Sequence, residues 1–219
     1  MNLQNKSIVL NIVLAVVVVV LGVRLVSGET STENTASELK AVNAEQAVLD
    51  NIATRTSIRD YEARKVEKEK IEKMLRAAMA APTAMNKQPW HFGVVDKRDV
   101  LDALAEVNPY AKMLKKAPLA IVVCGDTDKM IEGGGRDFWI QDASAATENL
   151  LLAAHAMGLG AVWTGAYPSE ERCKGISGAL SLSDNLIPLN VIVIGYPAEN
   201  PQPKEKFKEE NISYNVCED

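Results

Sequence analysis

One stretch divides this chain of 219 residues before any other feature is considered: Ile8 to Val23, IVLNIVLAVVVVVLGV, is almost uninterrupted aliphatic sequence. Val16 to Val20 is apolar on every side and β-branched, which makes a poor amphipathic core helix. Lys6 precedes the run, and the small-residue segment Val26-Ser27-Gly28 follows it, the order of an export signal. With Leu25 and Val26 included, the run nears the ~17–25 residues that span a bilayer, so retention as an anchor is the other expectation. Residues 1–28 are therefore expected to export or anchor the protein at the cell envelope. Residues 29–38, ETSTENTASE, read as a polar linker, and a folded domain is expected over 39–219.

That domain is acidic. All 29 acidic residues follow Gly28, whereas Lys6 and Arg24 of the 24 basic residues precede it, so the body is more negative than the chain's net −5. No basic cluster suits the phosphate neutralisation of nucleic-acid binding, and no nucleic-acid partner is expected. Cys124, Cys173 and Cys217 show no CxxC, and His91 and His155 lie far apart, so neither a disulfide framework nor a metal site is expected.

Hydrophobic periodicity predicts helices over 38–53, 67–80, 97–107 and 138–157, the last ended by Gly158, with a further helix beginning at Ser169 in a capping-box-like SEER. Strands are predicted over 90–95, 119–124, 161–163 and 189–194. Leu119 to Cys124, LAIVVC, is apolar throughout, as in a sheet covered on both faces. Helices precede the first strand and a charged tail follows the last, which suggests α+β.

No GxGxxG follows a strand, no P-loop is present, and Gly133-Gly134-Gly135 reads as a mobile surface loop. Two sets of residues stand out instead. Arg55, Ser57 and Arg59 alternate, so an extended backbone puts all three on one face, suited to a phosphate monoester or simply to solvent. Pro82-Thr83-Ala84-Met85-Asn86-Lys87-Gln88-Pro89-Trp90 reads as a rigid loop able to hydrogen-bond a heterocycle or sugar chain, or as a connector.

RTSIRDY, AAMAAPTAMNKQPWHFGVV, the helix and strand ending GLGAVWTG, and PLNVIVIGYPAE occur in the order and spacing of the nitroreductase family of FMN-dependent oxidoreductases, and the chain resembles that family over about 165 residues. The resemblance implies a three-layer α/β/α sandwich with a central mixed sheet, homodimeric, with the carboxy-terminal tail extending onto the partner. It implies that Arg55, Ser57 and Arg59 hold the FMN phosphate and ribityl chain, with Lys204 and Lys206 also on the phosphate. Pro82, Thr83, Ala84 and Asn86 would reach the flavin of the other subunit, and the backbone of Trp163, Thr164 and Gly165 would face its pyrimidine edge and N5. Trp163 would stack near the flavin or pack in the core. Helix 138–157 would form the subunit interface, a buried core helix being the alternative. Ser213 and Thr164 depart from residues common in relatives, histidine and an acid respectively.

The function implied is ping-pong reduction of a nitroaromatic or quinone acceptor by NADH or NADPH, the flavin carrying the chemistry without a catalytic side chain. Two alternatives are an envelope flavoprotein reduced by a quinol or a partner protein, and a non-catalytic flavin-fold binding module.

Overall fold

The computed structural model describes residues 43–215. The expected export or anchor segment and the polar linker lie outside these residues. The chain divides into two units, Met1–Asp50 and Asn51–Asp219. Of the first, 43–50 are described; they begin helix α1 (43–54), where Gln46 donates to Asp50 one turn on, 2.6 Å.

In the second unit the helices after α1 are α2 (Lys68–Met79), α3 (Arg98–Val107), α4 (Phe138–Ala156) and α5 (Glu170–Leu180). Its strands are β1 (Trp90–Val95), β2 (Leu119–Asp126), β3 (Gly160–Gly165) and β4 (Leu186–Gly195). Helix α2 buries Met74 and Ala78, while Glu69–Lys73 and Glu72–Arg76 pair across one turn on its exposed face at 2.6 Å each. In α4, Trp139, Ala143, Ala146, Leu150 and Ala154 recur every three or four residues and are buried. Gly158, at φ 72°, ends that helix in a conformation only glycine adopts without cost. Ser169 caps α5, its hydroxyl accepting from Arg172 N at 3.4 Å. Gly133–Gly135, expected as a loop, forms one 3₁₀ turn.

The sheet order is β1-β2-β4-β3, and every adjacent pair is antiparallel. The mixed sheet that the family resemblance implies is therefore corrected. Among the described residues the parallel contact is an isolated bridge, Ser57 to Ala161, made by an extended segment outside the named strands. No local signal in the sequence carries strand direction, because it is decided by pairing between distant segments.

Side chains alternate across the inner strands into two cores. Leu119, Ile121, Val123, Ile192 and Ile194 pack with α2 and α4, and Ala120, Val122, Cys124, Val191 and Val193 pack with α3 and α5. This makes three layers, with helices on both faces of the sheet, and it explains why β2 is buried along its whole length. Strand β4 starts earlier than the 189 expected, because the register shifts between Val123 and Cys124 and lets Pro188 sit inside the strand. At this bulge Leu189 and the adjacent Asn190 both face α4, Asn190 Nδ2 donating to Thr147 Oγ1 at 3.0 Å. Among the described residues no helix is long and apolar enough to cross a membrane.

Candidate functional site

After α1 the chain runs extended beside β3. Ile58 N donates to Ala161 O at 3.1 Å, and Ile58 is buried in the α3/α5 core. Tyr61 is buried next to it, its hydroxyl within 2.5 Å of Ile58 O and 3.1 Å of Val193 O, and burial raises its pKa above the usual phenol value. With Ile58 and Tyr61 turned inward, Arg55, Ser57 and Arg59 line one cavity of about 590 Å³. The opposite wall is the tail, which brings Lys204, Lys206 and Phe207 to the same space. Four cations, the hydroxyls of Thr56 and Ser57 and one carboxylate, Glu205, thus line one space in an acidic protein, at a volume within the roughly 300–1,000 Å³ of small-molecule sites.

Carboxylates hold this wall in place. Glu148 of α4 pairs with Arg55, Oε1 to Nε 3.4 Å, and Arg55 is mostly buried while Glu148 is half exposed. Glu199 accepts from the backbone N–H of Arg59 at 2.5 Å and of Asp60 at 3.2 Å, fixing the direction in which Arg59 leaves the chain. His155 Nε2 lies 2.9 Å from Thr54 Oγ1; partial burial, together with the Arg55 guanidinium, lowers its pKa below the usual imidazole value. Sequence patterns alone do not single out Glu148 and Glu199. One signal is present: Asp142 and Glu148 are the two carboxylates in an otherwise mostly apolar α4.

The other expected residues lie elsewhere. Pro82, Thr83, Ala84 and Asn86 do not line this cavity. Ala84–Asn86 form a 3₁₀ turn in which Met85 and Asn86 have φ of 53° and 54°, and Ala84 N donates to the buried Asp142 carboxylate at 3.0 Å. Asn86 accepts from Gln88 Nε2 at 3.0 Å and borders a second cavity with Trp90, His91 and Phe92.

In β3, Trp163 is half-buried against the α4 core. Thr164 is buried on the opposite face; its hydroxyl donates to Val191 O at 2.8 Å and accepts from Asn108 Nδ2 at 3.2 Å. Its side chain therefore belongs to the core, and a ligand beside this strand meets the backbone. Gly165 completes the strand, and a Cβ added there would find no atom within 4 Å.

The sequence profile of the nitroreductase family matches residues 52–109 and 104–196. The chain belongs to the nitroreductase family. A Methanothermobacter thermautotrophicus protein, provisionally named an NADH dehydrogenase/NAD(P)H nitroreductase, is 50% identical over 166 residues, covering 75% of this chain and 85% of its own length. A crystal structure from Bacteroides thetaiotaomicron with the same provisional name is 50% identical, with a TM-score of 0.74 over 78% of this chain and 98% of the other. A provisionally named nitroreductase from Desulfovibrio desulfuricans, crystallised in complex with FMN, is 32% identical, with a TM-score of 0.67 over 78% of this chain and 98% of the other.

Within this nitroreductase fold, Gly160 explains how the segment carrying Arg55, Ser57 and Arg59 reaches β3. A Cβ on Gly160 would lie 2.7 Å from Cβ and Cγ2 of Ile58 and 2.8 Å from its Cγ1. Only glycine lets the two backbones approach this closely. The donor set also fits a phosphate monoester on chemical grounds, since guanidiniums offer paired N–H donors and lysines add charge. The open space at Gly165 fits the close approach of a flat ring to the strand end.

Proposed function

We propose that this chain is an FMN-dependent NAD(P)H oxidoreductase that reduces an electron-poor acceptor of the nitroaromatic or quinone class by a ping-pong mechanism. The convergence of Arg55, Ser57, Arg59, Lys204 and Lys206 on one cavity carries the reading, and the FMN complex of the Desulfovibrio relative supports it. When bound, FMN supplies the two-electron redox chemistry, and the protein supplies binding, orientation and electrostatics.

In this reading Arg55 and Arg59 hold the phosphate, Ser57 donates to it, and Lys204 and Lys206 close over it from the tail. Glu148 keeps the Arg55 guanidinium aimed at the cavity. The backbone at Trp163 to Gly165 borders the ring, while Thr164 anchors that strand end through Val191 and Asn108.

The loop of Pro82, Thr83, Ala84 and Asn86 serves the flavin of a second copy, so the working unit is a homodimer. Its position away from the cavity of its own chain supports this. Met85, 78% exposed, and Phe207, 72% exposed, lie on the loop and the tail and suit burial against that copy. The sequence of residues 1–28 supports placement at the cell envelope.

The test is FMN titration of the full chain by flavin fluorescence, followed by anaerobic stopped-flow reduction with NADH, NADPH and a quinol. Saturable FMN binding that weakens at least tenfold in Lys204→Ala/Lys206→Ala, with rapid bleaching by a nicotinamide, is expected. No binding of FMN would end the proposal, and bleaching by the quinol alone would reassign the donor.

A further inference from the structure

A third cavity, of about 540 Å³, shares no residue with the FMN-type cavity. It lies where the 63–68 segment and the start of α2 meet the end of β1, the start of α3 and the start of β2. Its floor is apolar: Val66, Ile71, Pro118 and Leu119. Its rim carries Arg64, Lys65, Lys68, Arg98 and Lys116 against two carboxylates, Glu67 and Asp96. A cationic excess of this kind runs against the net charge of −5 of the whole chain.

Three of the five cations are fixed by the fold. The Arg98 guanidinium donates to the carbonyls of Ala117 and Leu114 and pairs with Asp102 at 3.0 Å. Lys116 pairs with Asp60 at 3.1 Å, and Arg64 pairs with Glu67 at 2.9 Å while lying 3.7 Å above the Tyr196 ring. Glu67 is occupied on both oxygens, since its Oε2 accepts from Tyr196 Oη at 2.7 Å. The hydrogen bonds and ion pairs of the described residues leave Lys65 and Lys68 without a partner. Two free ammoniums on a shaped apolar cavity select a ligand with the complementary division of properties.

We propose that this cavity binds a small amphiphilic anion, a carboxylate or phosphate monoester on an apolar body, whose charged end is held by Lys65 and Lys68. The concave shape and apolar floor favour a small molecule over the flat surface of an anionic bilayer. Lys116 and Arg98 set the positive potential of the rim, and Val66 and Ile71 cover the apolar body.

The probe is 1-naphthyl phosphate, titrated by its fluorescence into the full chain saturated with FMN so that the other phosphate-binding cavity is filled, with 1-naphthol as the neutral comparison. Saturable one-to-one binding is expected, at least tenfold weaker for 1-naphthol and at least tenfold weaker in Lys65→Ala/Lys68→Ala. Both lysines are exposed, so the variant should keep the far-ultraviolet circular dichroism of the parent. Arg59→Ala, on the other cavity, should leave the titration unchanged. Weakening by Arg59→Ala in place of the lysine pair would show the probe in the FMN-type cavity and overturn the proposal. So would equal binding of 1-naphthol, or absence of saturable binding. Lysine-dependent binding to phosphatidylglycerol vesicles without binding of 1-naphthyl phosphate would overturn it in favour of a membrane surface.

Discussion

Replacing Gly160 by alanine tests how the arginine-bearing 55–59 segment is held against β3, because the added methyl is aimed at Ile58. It would stand 2.7 Å from the Cβ of Ile58, an atom that no rotamer can move, and within 2.8 Å of both γ carbons. Relief requires the 57–59 backbone to back away from β3, which strains the hydrogen bond of 3.1 Å from Ile58 N to Ala161 O. Overpacking of a core typically costs ~1–3 kcal/mol. Three overlapping contacts, one with a rigid atom, place Gly160→Ala at about 2 kcal/mol, or roughly 4–8 °C in Tm for a chain of this size. Ser57 and Arg59 ride on the same segment, so FMN affinity should fall at least fivefold.

The comparison is Gly165→Ala, whose methyl meets no atom within 4 Å. It should stay within ~0.5 kcal/mol of the parent in stability, as expected of an uncrowded site, while weakening FMN, because in the proposed function the flavin ring borders this strand end. Urea denaturation followed by circular dichroism gives the first quantity and flavin fluorescence titration the second. A Gly160→Ala protein as stable as the parent, or a Gly165→Ala protein as destabilised as Gly160→Ala, would refute the reasoning.

Thr164→Val keeps the side-chain shape but removes the acceptor of the buried Asn108 amide and the donor to Val191 O, so it should cost about 1–3 kcal/mol in urea denaturation. Because that hydroxyl faces the core, the same variant should retain the preference among acceptors; a changed order of acceptor rates would contradict this placement. Glu67 has its pKa lowered to about 2, chiefly by the Tyr196 hydroxyl and then by its own backbone N–H and Arg64. A carboxyl depressed by folding adds stability above its unfolded value of 4.5 and loses it as pH falls toward 2. Tyr196→Phe should raise the Glu67 midpoint in a carboxyl NMR titration and flatten the stability profile between those two pH values; an unmoved midpoint would contradict the assignment.

Much of the fold was legible because helical and extended periodicities are local. The spacing of Met74 and Ala78, the small-residue repeat of α4 and the apolar run of β2 each state which face is buried. Alternation singled out Arg55, Ser57 and Arg59, which line one cavity, but not Thr56, which lies between them in the chain and lines it too. The bulge that admits Pro188 was not legible, because it exists only in the register of β4 against β2. Nor were the carboxylates that orient the site, since Glu148 and Glu199 reach it from far along the chain.

By itself, then, the sequence determined the order of elements, the face each one buries and the family to which they belong. Only the tertiary structure decided that the sheet is antiparallel, that the tail lysines share a cavity with Arg55 and Arg59, and that Thr164 is a core residue. The physical reason lies in range. A residue's periodicity is set by neighbours within one turn or one pleat, whereas strand direction, charge pairing and cavity walls depend on which distant segments pack together when the common core is buried.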